Sequence, residues 1–387
     1  MPLAAERHRT TYAGGMLLSI TNEPRDYAWG STTLIAGLEG RAPSAAPEAE
    51  VWFGDHPSDP ADVAGGGTLD AHTGGKLPYL LKLLAAAAPL SIQVHPTRPQ
   101  AQEGFARERG MDAADPTRNY RDANHKPELM VALSDRFEAL SGLRPLVDTK
   151  RLLASFPDTN GVIALRARLD VGSDADALRE TLAWLLSGSA QAEVDDIIAA
   201  LGEAQSTEFG EALSAIRQIA EHNPGDPGVV VALLMNFIVL RPGEAIFLRA
   251  GLLHAYVSGL GVEIMAASDN VLRGGLTPKH IDVTELLAIV DTEPGAVPVQ
   301  RSSGAITTYD VPVADFALRR VQVDGEQRLS VAGPAMVLAT SGVVAVSTAG
   351  GHALPVKIGT AVFATADERE LVVRGQGEIF IAEPGRS

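Results

Sequence analysis

Hydrophobic and polar positions follow two different periods along the chain, and the change of period divides it into three regions. Residues 16 to about 145 contain short apolar runs separated by Pro and Gly, as in VWFGDHPSDPADV, which predicts strands and turns. From about 146 to 225, leucines and isoleucines recur every three or four residues, which predicts amphipathic helices. After 229, runs such as VVVALLMNFIVL and AIFLRAGLLHAYV indicate buried strands again.

This order of elements predicts a mainly β protein with an α-helical insertion. We expect a β-sandwich or barrel formed by residues 16–145 and 226–300, a helical domain at 146–225, and a second β domain at 301–387. Ser173, followed by two aspartates, is typical of a helix start, and HNPGDPG ends the last predicted helix.

Composition excludes several classes of function. The 387-residue chain has no cysteine, so disulfides, thiolate metal sites and cysteine nucleophiles are excluded, and a reducing cytoplasm is the expected compartment. A net charge of −16 argues against nucleic acid as a partner, and an anionic small substrate would need a local basic pocket. Met16–Ile20 is too short an apolar run for a signal peptide, and no run is long enough to span a membrane. The sequence does not fix the oligomeric state, with a monomer favoured.

Polar residues interrupt three of the predicted strands. In LSIQVHPT, Gln93 and His95 share one face of a strand, while NHKPEL adds Glu128 and LRAGLLHAY adds His254. Two imidazoles and a carboxylate are common zinc ligands, and a glutamine oxygen is a rarer one. If the three segments meet, these residues predict an open metal site. The alternative is that each one is a hydrogen-bonded core residue, which is the more frequent case for a lone histidine on a strand.

A second group of charged residues lies in the glycine-rich segment MAASDNVLRGGLTPKH. The group comprises Asp269, Arg273, Lys279 and His280. Arg273 stands between an apolar residue and two glycines, which suits a guanidinium pointed at an anion. Lys82 interrupts YLLKLL and would share a face with Ser91 if their strands are neighbours, so it is another candidate for an anion site. The alternative for Lys279 and His280 is a solvated loop.

These segments resemble the type I members of the phosphomannose isomerase family, which are zinc-dependent cupins. The resemblance rests on four blocks in order between about residues 16 and 300: DYAWGSTTL, PYLLKLLAAAAPLSIQVHP, NHKPELMVALSDRFEALSGLRP and FLRAGLLHAYVSGLGVEIMAASDNVLRGGLTPKHIDV. It is weakest in the helical insertion and in the C-terminal domain. The resemblance implies a cupin-type jelly roll as the catalytic domain, with the helical domain and a second, cupin-like domain outside the chemistry.

The resemblance also implies an activity and a set of site residues. It implies one zinc ion per chain, bound by Gln93, His95, Glu128 and His254, with Arg273 as a catalytic residue. The implied reaction interconverts mannose 6-phosphate and fructose 6-phosphate through a cis-enediol. The zinc would stabilise the oxyanion that develops next to the reacting carbon, or would position the substrate.

The remaining roles are expected from chemistry. The candidates for the catalytic base are Lys126, His125 and Asp269, and a divalent cation next to a lysine would favour loss of its proton. Contacts to the phosphate are expected from Lys82, Ser91 and Lys279, and Glu263 and Trp29 are expected to line the pocket.

Two other functions remain open at this stage. A cupin iron oxygenase usually binds iron through two histidines and a carboxylate, and a glutamine ligand at Gln93 disfavours that reading. A non-catalytic module that binds sugar phosphates would need neither a base such as Lys126 nor a cation such as Arg273 at the reacting centre.

Overall fold

The computed structural model describes residues 16–349 and 351–385, and within them it contains 18 strands and ten helices. The strands are β1 Leu17–Thr21, β2 Glu50–Phe53, β3 Asp62–Val63, β4 Tyr79–Ala86, β5 Gln93–Val94, β6 Glu128–Ala132, β7 Phe137–Leu143, β8 Met235–Leu240, β9 Ala245–Leu248, β10 His254–Ala266, β11 Leu272–Arg273, β12 Val299–Gln300, β13 Ile306–Thr308, β14 Ala317–Ser330, β15 Ala335–Thr348, β16 Leu354–Val356, β17 Ala361–Ala364 and β18 Glu370–Glu383. The helices are α1 Leu34–Leu38, α2 Asp70–Thr73, α3 Arg98–Arg107, α4 Leu146–Leu153, α5 Asn160–Arg168, α6 Asp174–Leu186, α7 Gln191–Leu201, α8 Gly210–His222, α9 Gly228–Leu234 and α10 Val283–Ile289.

Helices α4 to α9 form the helical part of the structure. Ser173 begins α6 by accepting the backbone N–H of Asp176 at 3.2 Å, as its position predicts. The run VVVALLMNFIVL differs from the prediction of a strand, because its first part is α9 and only Met235–Leu240 is extended. Every residue of α9 is buried, so the run has no polar face by which a helix and a strand could be distinguished. None of the helices in the described residues is long and apolar enough to cross a membrane.

Two antiparallel sheets that share β10 form the sandwich that carries the site. The first residues of β10 pair with β5 and β7, and residues 259–266 pair with β4 and β6. The strand passes from one sheet to the other at a bulge after Tyr256, next to Gly259, whose φ of +120° disfavours any side chain. A Cβ on Gly259 would also lie 2.8 Å from the backbone of Phe137. The predicted fold class, mainly β with a helical insertion and a jelly-roll-type sandwich rather than a barrel, is confirmed.

The helical part packs against the back of the sheet that contains β5. Their common core includes Ile92 and Val94, together with Leu253 and Leu272 from the neighbouring segments. Side chains alternate along a strand, so burying Ile92 and Val94 against the helices turns Gln93 to the opposite face. The helices therefore determine the face from which the polar residues of this sheet project.

The C-terminal residues form a second β unit around three long strands, β14, β15 and β18. The same sheet contains β1, in which Leu17 pairs with Ala364, whereas the sequence-based boundaries assign β1 to the first domain. Pairing between strands so distant in the chain leaves no local pattern in the sequence. Tyr79 of β4 donates a hydrogen bond to the Ala382 carbonyl at 3.1 Å, and apolar residues of both units share one core.

Candidate metal centre and substrate cavity

Four neighbouring strands bring polar residues into one row. Ser141 of β7 lies directly opposite His254 of β10. On the other side of β10, His254 lies opposite Gln93 of β5, and Gln93 in turn lies opposite Arg273 of β11. Residues paired in this way point to the same face of the sheet. The row therefore places Gln93, His254 and Arg273 side by side, although they come from separate sequence motifs.

Two histidines and a carboxylate converge next to this row. Glu128 begins β6, and its two carboxylate oxygens lie 3.3 Å from His95 Nε2 and 3.3 Å from His254 Nε2. The potential ligand atoms of these three residues all lie within 4.8 Å of one another, and all three residues are buried. The predicted convergence of His95, Glu128 and His254 is thus present in the structure.

Backbone carbonyls fix the orientation of both imidazoles. His95 Nδ1 lies 2.7 Å from the Asn270 carbonyl oxygen, and His254 Nδ1 lies 3.0 Å from the Leu252 carbonyl oxygen. A nitrogen next to a carbonyl must carry the proton, so we assign the Nδ1–H tautomer to both rings, with each Nε2 lone pair facing Glu128. This is the usual outer-shell arrangement of metal-binding histidines.

The chemistry of these donors fits a divalent metal ion. Among the described residues, His95 Nε2 is buried without a hydrogen-bond partner, which is costly for a polar atom unless a ligand satisfies it. Burial lowers the pKa of His95 to about 4, which keeps the imidazole neutral and able to bind a metal. Burial alone would raise the pKa of Glu128, but Lys126 and His95 outweigh it and hold that pKa well below its usual range. His95 is therefore neutral and Glu128 is ionised, which are the protonation states that a metal requires of these ligands.

A cavity of about 470 Å³ opens beside the metal centre. Of the residues predicted from the sequence to form the site, it is lined by Trp29, Lys82, Ser91, Gln93, Lys126, Glu128, His254, Glu263, Asp269, Arg273 and Lys279. Its volume lies in the range of cavities that bind small metabolites. His95 is buried behind the wall of this cavity, where it contacts two lining residues, Glu128 and His254.

Lys82 is held by two carboxylates inside the cavity wall. Its Nζ lies 3.0 Å from Glu263 Oε2 and 3.5 Å from Glu50 Oε1. The hydroxyl of Tyr256 donates to Glu263 at 2.8 Å, and the indole N–H of Trp52 donates to Glu50 at 2.8 Å. Burial alone would lower the pKa of Lys82, but the carboxylates outweigh it and raise that pKa above its usual value. The positive charge of Lys82 is therefore already balanced by two carboxylates. This does not suit the phosphate contact expected from the sequence.

Lys126 connects the metal centre to the cavity. Its Nζ lies 3.0 Å from Glu128 Oε1, and its side chain is nearly as buried as that of Glu128. A metal ion at the centre would compete with Lys126 for the charge of Glu128. Lys126 is therefore a cavity-lining amine in direct contact with the metal centre.

Arg273 and Lys279 contribute uncompensated positive charge to the cavity. Within the described residues, neither side chain forms an ion pair with a carboxylate. Burial lowers the pKa of Arg273, with Arg121 adding to the effect, and burial also lowers the pKa of Lys279, with Arg273 adding to it. Two cations with lowered pKa values and no carboxylate partner make this side of the cavity a site for an anion.

Asp269 lies at the mouth of the cavity against His56. Both Asp269 oxygens are within hydrogen-bond distance of His56 Nε2, at 3.1 and 3.2 Å. This hydrogen bond is the main reason why the pKa of Asp269 is below its usual value. His56 was missed in the sequence, where GDHPSDP indicates only a turn.

His125 and His280 are not part of the cavity lining. His125 Nε2 lies 2.8 Å from Asp315 Oδ2 and 2.9 Å from Arg98 Nη2, so its ring faces the C-terminal unit. His280 is exposed on the loop after β11. The structure therefore brings together all of the other candidate residues and leaves these two histidines outside the group.

Comparison with known proteins gives a consistent result. A sequence model of the catalytic domain of phosphomannose isomerase type I matches residues 66–146. The mannose-6-phosphate isomerase of Escherichia coli (strain K12) is 38% identical over 391 residues, which cover 93% of this chain and 97% of that protein. The mannose-6-phosphate isomerase of Homo sapiens is 30% identical, with coverage of 89% and 92%.

Solved structures agree with the sequence comparison. A crystal structure of mannose 6-phosphate isomerase bound with zinc and yttrium superposes with a TM-score of 0.85 at 34% identity, and the match covers 96% of this chain and 100% of that chain. The apo form from Salmonella typhimurium superposes with a TM-score of 0.84 at the same identity. The similarity thus includes the helical part and the C-terminal unit as well as the sandwich.

Proposed function

Since the chain belongs to the phosphomannose isomerase type I family, we propose how its own residues perform the isomerisation of mannose 6-phosphate. The protein is an aldose–ketose isomerase that interconverts mannose 6-phosphate and fructose 6-phosphate. One observation carries the assignment of roles: a His–Glu–His metal group and two uncompensated cations face the same cavity. A metal group and an anion site that border one cavity suit a phosphorylated sugar.

Zinc is the metal of this centre, and His95, Glu128 and His254 are the residues that hold it. We propose Gln93 as the fourth ligand, because it lies opposite His254 on the neighbouring strand and lines the cavity. When bound, zinc supplies positive charge that stabilises a substrate oxygen on which negative charge develops. A set of nitrogen and oxygen donors without thiolate suits a catalytic site of this kind.

The phosphate is assigned to Arg273 and Lys279. They are cavity-lining cations without a carboxylate partner in the described structure, whereas Lys82 is matched by Glu50 and Glu263. Ser91 lines the same cavity and can donate a hydroxyl hydrogen bond. This assignment changes the expected role of Lys82 from a phosphate contact to a fixed ammonium that hydrogen-bonds the sugar. It also gives Arg273 a binding role in place of the purely catalytic role expected from the sequence.

Lys126 is proposed to move the proton between C2 and C1. In the forward direction the proton leaves C2 of the open-chain aldose and O1 gains a proton, which gives the cis-enediol. The proton then returns at C1 while the O2 hydroxyl loses its proton to form the ketone. The group that carries the proton must face the substrate and alternate between its charged and neutral forms. Lys126 meets the first requirement by lining the cavity, and it is in direct contact with Glu128 of the metal centre.

Asp269 is proposed to assist the opening of the sugar ring. The other carboxylates of the cavity are already engaged: Glu128 belongs to the metal centre, and Glu50 and Glu263 hold Lys82. Among the described residues, the side chain of Asp269 hydrogen-bonds only to His56, and it remains half-exposed. Asp269 can therefore accept the proton of the O1 hydroxyl while the C1–O5 bond breaks. Water protonates O5 in the same step.

The two alternative functions are not favoured. Relatives that match nearly the whole chain are isomerases, and a binding module would need neither Lys126 at the metal centre nor a buried ammonium at Lys82. We further propose that the enzyme works in the cytoplasm, as expected for a chain without cysteines. A monomer remains an expectation that sedimentation analysis would test.

A coupled assay tests the function and the metal together. Purified protein is incubated with mannose 6-phosphate, and fructose 6-phosphate is followed before chelation, after chelation and after zinc is added back. We expect activity to be lost with the chelator and restored by zinc. A folded, zinc-loaded protein without activity would contradict the assignment, and a requirement for ferrous iron and oxygen would support the oxygenase instead.

A further inference from the structure

Asp269 is fixed at the cavity mouth by contacts on two sides. Its backbone N–H donates to Asp122 Oδ2 at 2.8 Å, and its carboxylate is held by His56 Nε2 at 3.1 and 3.2 Å. Its side chain is 51% exposed, so the backbone contact alone would leave the carboxylate free to rotate into solvent. The contact with His56 is therefore what selects one orientation of the Asp269 side chain.

His56 is in turn held in a single orientation by its own loop. The backbone N–H of Ser58 donates to His56 Nδ1 at 3.3 Å, and the Ser58 hydroxyl lies 2.8 Å from the same atom. Because Nδ1 accepts a hydrogen bond, the proton of the neutral ring is on Nε2, where it points at Asp269. The ring also packs edge-on against Trp52, with 4.9 Å between the ring centroids, and the His56 side chain is only 11% exposed.

We propose that His56 is a positioning residue, which holds the carboxylate of Asp269 in the orientation that the ring-opening step requires. His56 does not line the cavity, so it can affect the reaction only through its neighbours, and of its neighbours Trp52 and Asp269 only Asp269 has a proposed part in the chemistry. Two fixed partners of His56, Ser58 and Trp52, make its contact with the half-exposed Asp269 more ordered than a surface ion pair. The inference rests on the role that is proposed above for Asp269.

A double-mutant cycle distinguishes positioning from a structural effect. We would compare the kcat and KM of the zinc-loaded wild type, His56→Ala, Asp269→Asn and the double variant with mannose 6-phosphate. We expect His56→Ala to lower kcat about tenfold with KM within about twofold, since a misplaced catalytic group loses rate rather than substrate affinity. The double variant should be no slower than Asp269→Asn alone, because His56 has nothing left to position.

A conservative variant and a matched control complete the comparison. His56→Gln should recover most of the lost kcat, because its amide nitrogen can donate to Asp269 in place of Nε2. His72→Gln changes an exposed histidine on α2 and should behave like the wild type. If His56→Ala does not fold, His56→Gln and His56→Leu provide the same comparison, and equal kcat values for these two would overturn the inference.

An isotope effect adds a readout that a loosened fold would not change. With mannose 6-phosphate deuterated at C2, the effect on kcat should fall towards one in His56→Ala, because ring opening would then be slower than proton transfer. Multiplicative losses in the double variant, or an unchanged isotope effect, would overturn the role of His56. Full activity of Asp269→Asn would instead remove the proposed role of Asp269, so the two failures are distinguishable.

Discussion

The ammonium of Lys82 lies 3.0 Å from Glu263 Oε2 in the wall of the substrate cavity, on directly paired residues of β4 and β10. Glu50 approaches the same ammonium from β2, so a single cation is shared by two buried carboxylates. Burial raises the pKa of Glu263, and the largest opposing influence is Lys82, ahead of Lys126, so the charge state of the wall depends mainly on Lys82. The wall therefore depends on Lys82 for stability as well as for the proposed contact with the sugar.

Replacing Lys82 should destabilise the fold. Lys82→Met leaves two buried carboxylates without their cation, and breaking a buried pair in this way costs about 3–5 kcal/mol in the free energy of unfolding. The pKa of Glu263 is already raised, so folding favours its protonated form and the deficit should shrink as the pH falls towards about 5. Urea unfolding of the wild type and Lys82→Met at neutral pH and at about pH 5 measures the difference in the free energy of unfolding. The exposed Lys76→Met variant is the control, and an equal effect of the two substitutions would contradict the prediction.

Replacing the side chain of Asn270 should weaken zinc binding. The carbonyl of Asn270 fixes His95, while its side-chain amide donates to the carbonyls of Asp122 and Asn124 and so anchors the loop. We expect Asn270→Ala to reduce zinc affinity by about tenfold or more, as for other outer-shell partners of metal ligands. Competition with a chromogenic chelator measures the affinity independently of activity. Asn160→Ala, at an exposed position on α5, should keep the wild-type affinity.

Arg273 and Lys279 are the two cavity cations without a carboxylate partner in the described residues. Replacing either one should weaken substrate binding more than it destabilises the fold. Arg273→Gln and Lys279→Gln should each raise the KM for mannose 6-phosphate about 10- to 100-fold, the usual magnitude for a lost hydrogen bond to a charged group. Their effect should decrease at high ionic strength, because salt screens the wild-type attraction. Lys357→Gln changes an exposed lysine of the C-terminal unit and is the control. Unchanged KM values would move the phosphate site away from these residues.

The convergence of His95, Glu128 and His254 could be predicted because each one is a polar residue within or next to an apolar strand. The alternation that buries Ile92 and Val94 fixes the face of Gln93, and this information is local to the sequence. Lys82 could be recognised as unusual, but its partners Glu50 and Glu263 lie on other strands, so its compensated charge could not be predicted. His56 meets Asp269 only through the tertiary fold, and the carbonyls that orient the imidazoles belong to the backbone, which no side-chain pattern reveals.

A last prediction concerns the contact between the segment that carries His125 and Lys126 and the C-terminal unit. Asp315, which precedes β14, accepts hydrogen bonds from Arg98 and from His125, the neighbour of Lys126, at 2.9 and 2.8 Å. Burial alone would raise the pKa of Asp315, but His125 and Arg98 outweigh it and lower that pKa. Asp315 therefore stabilises the fold when it is ionised, and this contribution is lost as the pH falls through its lowered pKa.

Asp315→Asn should thus cost about 1–2 kcal/mol in the free energy of unfolding at pH 7, and the difference from the wild type should begin to shrink below about pH 4 and vanish only once the pH is below the lowered pKa of Asp315. At pH 7 we also expect kcat to fall severalfold with zinc content unchanged, because the segment that carries Lys126 loses its support from the C-terminal unit. Urea unfolding, metal analysis and the coupled assay measure the three quantities. Asp310→Asn, at an exposed site of the same unit, is the control. A loss of stability without any change in kcat would show that the C-terminal unit stabilises the sandwich but does not support the segment that carries Lys126.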